Sequence, residues 1–255
     1  MSKKTLTVIA SFVAAVCVLF RTITLIYATE ADTGFFVFRL MPLGVGLTAV
    51  CLILPVVMLL FCLSAKSDGS VALTKLTGIM SIAVGLSVIA YCFIGTYEYV
   101  IVWQRTLEMI SGLICGVWFV LMGLKAFKKF NLPEILSVAP TVHWVFKLIV
   151  AFSNFSSNAL VAEHVFTLSS ISLTCLFMLM YGKSITGFAG VKTKKFIYPV
   201  AICGGVLNLT SALSRLAVTL MGKSEVIHGD SAIDLVGIAV GVFMLFVLSE
   251  KNNEM

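Results

Sequence analysis

Long apolar segments separated by short polar loops dominate the hydropathy pattern of the chain. The segments are roughly 17–25 residues long, which is the length that an α-helix needs to cross a ~30 Å hydrocarbon core. A membrane β-barrel would show short alternating segments instead. We therefore predict an all-α integral membrane protein, a bundle of about eight transmembrane helices. The predicted spans are Thr5–Tyr27, Leu43–Leu63, Leu76–Tyr97, Leu107–Phe127, Ile135–Ser153, Glu163–Tyr181, Phe196–Met221 and Ile233–Leu248.

The composition agrees with this pattern. Of the 255 residues, 60% are hydrophobic and 12% are charged, whereas soluble domains are about 25% charged. No polar stretch is long enough for a second domain, so residues 1–255 are predicted to form a single polytopic membrane domain. The first apolar segment resembles a signal peptide, but Arg21 interrupts it and the region around Ala28 is a poor cleavage site. We expect it to be a retained helix.

The charged residues alternate between the two sides of this topology. A bias of lysine towards cytoplasmic loops places both termini in the cytoplasm, and we predict a multi-pass protein of the plasma membrane, in a bacterium. The net charge of +6 follows from this bias, so no nucleic-acid partner is expected. The outer loops hold Arg39, Arg105 and Lys223, and the acidic residues of the outer side are Glu30, Asp32, Glu98, Glu108, Glu163, Glu225, Asp230 and Asp234.

The two halves of the chain share a weak similarity. Gly112 and Gly116 in the fourth span correspond to Gly237 and Gly241 in the eighth at nearly the same offset that relates Arg21 to Lys147. This spacing suggests two parallel four-helix repeats, residues 1–130 and 131–255. The two GxxxG motifs favour close helix packing, either within the chain or across a homodimer.

Three cations lie inside the predicted spans, each about six residues from the predicted outer end. They are Arg21, Lys147 and Arg215, and no acidic residue lies equally deep. A cation at mid-bilayer costs about 2.5–3.5 kcal/mol on the milder insertion scale, so such residues mark functional sites. Arginine side chains could instead extend to the headgroups. Glu163 is the expected counter-ion for one cation, with Glu30 and Asp234 as further candidates.

Polar residues at helical spacing accompany these cations. The simplest arrangement turns the polar faces towards a shared interior, where they act either as a site or as hydrogen bonds between helices. His143, one turn from Lys147, is a candidate proton carrier or a hydrogen-bonded structural residue. The polar faces comprise Arg21 and Thr24; Pro140, His143, Lys147 and Asn154; Glu163, Thr167, Ser170 and Thr174; and Asn208, Ser211, Arg215 and Thr219.

Signatures of catalysis and of cofactor binding are absent from the sequence. There is no HExxH, GxSxG or phosphate-binding loop. The seven cysteines form no CxxC pair, and one histidine lies within a span, so neither a zinc site nor haem is expected. We predict that the protein is not an enzyme and needs no cofactor. A lipid-modifying enzyme with Glu163 or His143 as base is a weaker alternative that lacks a second catalytic group.

These patterns together predict a small membrane permease or substrate-binding membrane subunit. Its outward-facing site would accept a small anionic or zwitterionic ligand through Arg21, Lys147 and Arg215. Glu163, Asn208, Ser211 and His143 would orient the ligand or carry protons. The alternative is a membrane sensor or a lipid-binding scaffold that holds a lipid phosphate without transporting it. Membrane lipids are expected partners in either case, and a homodimer or a partner subunit is a further prediction.

Overall fold

The computed structural model describes residues 3–30, 33–64, 73–94, 102–128, 131–155, 161–227 and 234–247, and these ranges contain helices and no β-strand. A π-helical turn, Thr24–Ala28, continues the first helix, and short 3₁₀ turns precede α2 and α5. The predicted span ends Tyr97, Ile233 and Leu248 lie outside the described residues. The α-helices are α1 (Lys3–Ile23), α2 (Met41–Ser64), α3 (Lys75–Ile94), α4 (Val102–Lys125), α5 (Ala139–Phe155), α6 (Val161–Ile185), α7 (Val191–Leu220) and α8 (Leu235–Phe246).

Seven helical segments in the described part of the chain are long and apolar enough to cross a membrane. They coincide with the first seven predicted spans and support a multi-pass membrane protein. The eighth helix has 12 described residues, fewer than the ~20 that a full crossing needs. An eighth crossing therefore stays a prediction.

The least apolar of the seven segments is the most buried, and the most apolar is among the least buried. In the 18-residue apolar stretch of the segment that contains α2, 22% of the residues are buried, whereas in the corresponding stretch of α7 the share is 89%. In a water-soluble bundle the most apolar helix would occupy the core. An exposed apolar helix and a buried, less apolar one are what is expected of a bundle in an apolar solvent.

The helices α3 to α8 form a closed circuit of contacts. Each packs on the next along the chain, and α8 returns to pack on α3. The remaining pair, α1 and α2, packs against α7 on the outside of this circuit. Because α7 contacts α1, α2, α6 and α8 while α3 contacts α4 and α8, the corresponding helices of the two predicted repeats have different surroundings. The repeat stays a prediction.

Glycines permit a close approach between α3 and α4. A Cβ added to Gly85 would lie 2.6 Å from the carbonyl oxygen of Gly116. One added to Gly123 would lie 2.5 Å from that of Gly78. These distances are too short for a real Cβ, so the two backbones lie too close together for any side chain at these positions. This is the packing that small residues permit. On α8, Gly241 is similarly close to Leu209 of α7, so both predicted GxxxG motifs contact helices of the same chain.

Aromatic side chains fill the middle of the α3–α8 circuit. Rings from α4, α6 and α8 contact one another edge-to-face or stacked, with the centroids of Tyr181 and Phe243 5.4 Å apart and those of Trp118 and Tyr181 6.2 Å apart. Each ring is at most 2% exposed. This aromatic cluster consists of Trp118, Phe119, Phe177, Tyr181 and Phe243.

Candidate ligand site

A polar cavity lies inside the α3–α8 circuit, at the end of the bundle that holds Glu163. Its volume is about 70 Å³, several times the ~10–15 Å³ that one buried water requires. All six helices of the circuit or their caps contribute to it. The residues that line it are Tyr91, Glu108, Trp144, Lys147, Val150, Ala151, Thr167, Ser170, Ile171, Asn208, Ser211, Arg215, Asp234 and Gly237.

Lys147 is the cation of this cavity without a carboxylate partner among the described residues. Its Nζ lies 4.8 Å from the centroid of the Tyr91 ring and 5.0 Å from that of Trp144. Both distances are within the ~6 Å range of cation–π attraction. The two rings stabilise the ammonium group but accept few of its three N–H donors, so these donors are available to a ligand in the cavity.

The two buried arginines, in contrast, share one carboxylate. Arg21 on α1 donates through Nη2 to Glu163 Oε2. Arg215 donates through Nε to Glu163 Oε1 at 2.8 Å, and its Nη2 lies 2.7 Å from the same oxygen. We call Arg21, Glu163 and Arg215 the ion triad. The three side chains are at most 14% exposed, and the triad connects α1 to the circuit through α6 and α7.

Neighbouring groups complete the coordination of the triad. Arg215 Nη2 donates to Thr167 Oγ1 at 3.4 Å, and the Arg21 guanidinium lies 4.7 Å from the centroid of the Phe166 ring. Arg21 Nη1 is buried and has no hydrogen-bond partner within the described ranges. Glu163 lies in the first turn of α6, where the helix dipole also favours a carboxylate.

Glu163 has more cationic partners in the structure than the one that the sequence analysis expects. Glu163 pairs with both arginines rather than with one cation. Both contacts are possible because an arginine side chain extends several ångströms along its helix towards the end of the bundle. The Glu163 carboxylate lies nearer that end and contacts guanidinium groups whose Cα atoms lie deeper in the bundle.

The other sequence-predicted residues divide between cavity and packing. Lys147, Arg215, Asn208 and Ser211 line the cavity, but Arg21, Glu163 and His143 are not among its lining residues. His143 is 1% exposed, and its Nδ1 lies 3.3 Å from Ser111 Oγ. This hydrogen bond between α5 and α4 supports the structural interpretation of the histidine.

Asn208 divides its hydrogen bonds between neighbouring helices. Its Nδ2 donates to Thr174 Oγ1 on α6 and to the carbonyl oxygen of Gly204 one turn earlier on α7, both at 2.8 Å. The side chain lines the cavity, but its amide N–H groups donate to acceptors of the protein. Its oxygen is the atom that remains for a ligand. The side chain of Asn154, which was also placed on the polar face, lies outside the described residues.

The cavity residues that the sequence did not predict include Glu108, Tyr91 and Trp144. Glu108 was assigned to the outer side, but it is 3% exposed and lines the cavity. Tyr91 and Trp144 are aromatic residues within apolar segments, where the sequence cannot distinguish a lining residue from a packing residue. Trp144 is 1% exposed, and its Nε1 has no hydrogen-bond acceptor in the described part of the chain.

A second cavity lies at the opposite end of the same helices. It has a volume of about 430 Å³ and lies between the end of α4, the turn before α5 and the end of α6. Lys125, Glu134 and Ser137 supply polar groups to it, and Trp118 of the aromatic cluster forms part of its wall. The aromatic cluster therefore separates two polar cavities that occupy opposite ends of one bundle.

Comparisons of the chain with protein-family models, with curated proteins and with solved structures find no match.

Proposed function

We propose that the protein is a small membrane permease, or the substrate-binding membrane subunit of one, for a small anionic or zwitterionic solute. The solute binds in the polar cavity between α3 and α8, with Lys147 as its principal cation. The protein resides in the plasma membrane, in a bacterium, with its termini in the cytoplasm and the Glu163 end outward. The observation that carries the proposal is an ammonium group that faces a polar cavity without a described carboxylate partner.

Energetics support a ligand role for Lys147. An ionised side chain within an apolar bundle is costly unless it is paired and hydrogen-bonded. Two cation–π contacts of about 0.5–2 kcal/mol each offset part of that cost. In the adjoining ion triad both arginines contact a carboxylate of the protein, so the bundle supplies a partner to its other buried cations. A solute anion or carboxylate would supply the partner that Lys147 lacks.

The size of the cavity supports a small solute over a lipid. At about 70 Å³ it is well below the ~300–1,000 Å³ of sites for larger ligands. A phospholipid headgroup with its glycerol would exceed this space. The scaffold alternative therefore requires a larger opening of the bundle than the permease does.

The aromatic cluster supports transport rather than binding alone. A transporter keeps a barrier between two openings and moves helices around the site to exchange access. We call the polar cavity that Lys147 lines the lumen cavity. The five buried rings of the aromatic cluster separate it from the cavity at the opposite end. Movement of α6 relative to α4 and α8 would part these rings and join the two cavities.

Uptake into liposomes containing the purified protein tests the proposal. We expect saturable uptake of radiolabelled acetate or glycine by the wild type and at least about tenfold lower uptake by Lys147→Gln, a loss of roughly 1.4 kcal/mol in binding. Lys183→Gln, the same change at an exposed position of α6, should match the wild type.

Binding without uptake would identify a substrate-binding subunit, which the proposal includes. Uptake or binding that is equal in the wild type and Lys147→Gln would contradict it. Retention of a phospholipid that native mass spectrometry finds in the wild type and not in Lys147→Gln would favour the lipid-binding scaffold instead.

A further inference from the structure

The lumen cavity carries carboxylates as well as cations. Lys147 and Arg215 line it, and so do Glu108 and Asp234. Glu108 is buried on α4. Asp234 precedes α8 and its Oδ1 accepts a hydrogen bond from the backbone N–H of Gly237 at 2.7 Å. A cavity with both signs of charge differs from a simple anion site.

The order of the helices separates these charges into two walls. Lys147 on α5 and Arg215 on α7 flank α6, which contributes Thr167 and Ser170. Glu108 on α4 and Asp234 at the start of α8 flank α3 on the other side of the circuit. We call the side of α5, α6 and α7 the cationic wall and the side of α8, α3 and α4 the acidic wall, after the charged residues that each side carries.

Two aromatic side chains lie between the charged groups. Tyr91, from α3, lines the cavity with its ring centroid 4.8 Å from Lys147 Nζ, so this ring holds the cation of the protein itself. Trp144, from α5, contributes to the cationic wall a buried Nε1–H that lacks an acceptor in the described residues. Buried N–H donors in native structures nearly always have a partner, so this donor marks a place for a ligand oxygen.

We propose that the ligand is a small zwitterion, an α-amino acid with hydrogen or methyl as its side chain. Its carboxylate faces Lys147, Arg215 and the Trp144 N–H, and its ammonium group faces Glu108 and Asp234. This inference rests on the proposed function and names its substrate class. A monoanion in so small a space would lie near both acidic groups, which would cancel much of the attraction of the cations.

The volume sets the size of the ligand. At ~10–15 Å³ for each buried water, a cavity of about 70 Å³ holds on the order of five small groups. Glycine, with its carboxylate, ammonium group and one carbon between them, is of this size. A branched amino acid such as leucine would overfill the cavity.

Three probes and one pair of variants test the inference on the purified full chain. Isothermal titration should give a Kd for glycine at least about tenfold lower than for acetate or for methylammonium, because each of these carries one of the two charges. Asp234→Asn keeps an oxygen that can cap α8, since asparagine caps helices as well as aspartate does. It should weaken glycine binding about tenfold and leave acetate binding equal or tighter. Glu108→Gln should act in the same direction.

The outcomes separate this inference from the proposed function. Acetate that binds as tightly as glycine would overturn the zwitterion and leave a permease for anions. Methylammonium that binds most tightly would overturn both. Unchanged glycine binding in a folded Asp234→Asn and in a folded Glu108→Gln would remove the acidic wall from the site, while the loss of uptake in Lys147→Gln would still support transport.

Discussion

Two cationic centres lie at the same end of the bundle, and different groups stabilise the buried charge in each. In the ion triad, Arg21 and Arg215 share the carboxylate of Glu163. Lys147 has two aromatic rings and a polar cavity beside it instead. The difference distinguishes a charge that is paired within the protein and holds helices together from a charge without an ion pair, which we propose binds a solute.

The largest effect is expected from removing the shared carboxylate. Glu163→Gln leaves two buried guanidinium groups with a neutral amide between them, and breaking a buried pair in this way costs about 3–5 kcal/mol. Unfolding in a detergent titration, followed by circular dichroism, measures the free energy. Glu225→Gln, an exposed position after α7, is the control. Equal stability of the two variants would show that the triad does not connect α1 to the circuit.

A combined replacement sharpens the interpretation of that loss. In the triple variant Arg21→Met, Glu163→Leu, Arg215→Met no uncompensated charge remains, and apolar replacements of buried ion groups are often neutral or stabilising. We expect most of the stability lost in Glu163→Gln to return in the same detergent titration. A triple variant as unstable as the single one would mean that the geometry of the ion pairs, and not charge balance, holds the helices.

Arg215 belongs to both centres, and its variant should show both effects. Arg215→Gln removes hydrogen bonds to Glu163 and Thr167 while the pair of Arg21 and Glu163 remains. Hydrogen bonds to charged groups contribute about 1.5–3 kcal/mol, so we expect a stability loss of that size. Glycine binding should fall about tenfold as well. A loss of stability alone would assign Arg215 to the triad and remove it from the cavity.

A smaller effect is expected where one neutral group supports the triad. Thr167→Val keeps the shape of the side chain and removes the hydroxyl that accepts from Arg215 Nη2 at 3.4 Å. A long hydrogen bond of this kind contributes about 0.5–1.5 kcal/mol, which the detergent titration can resolve. A loss above ~3 kcal/mol would mean that the hydroxyl, rather than the carboxylate, positions the guanidinium.

The sequence predicted the helices and part of the lining of the cavity for a physical reason that also explains what it missed. Helical periodicity determines which face of a helix a side chain occupies, so Lys147, Asn208, Ser211 and Arg215 were placed on interior faces that do line the cavity. Periodicity does not determine which helix that face meets.

The pairing of the arginines and the place of Glu108 depend on that missing information. The contact of Arg21 with Glu163 joins residues that are 142 positions apart, and nothing local in α1 or α6 encodes it. Glu108 near the start of an apolar segment resembles a residue at a membrane surface, and the packing of α4 between α3 and α5 is what buries it. The closed circuit of six helices likewise appears only in the contacts between helices.

The smallest effect on stability, and the sharpest test of the comparison, is expected at Lys147. Lys147→Met removes a buried cation that forms no ion pair with a described carboxylate and loses two ring contacts, so these terms nearly cancel. We expect the free energy of unfolding to stay equal or to rise by up to about 2 kcal/mol, measured as for Glu163→Gln, while glycine binding is lost. Lys183→Met should change neither quantity. If Lys147→Met destabilised the bundle as much as Glu163→Gln, Lys147 would be a structural cation like the two arginines, and the difference between the two centres would be one of partner and not of function.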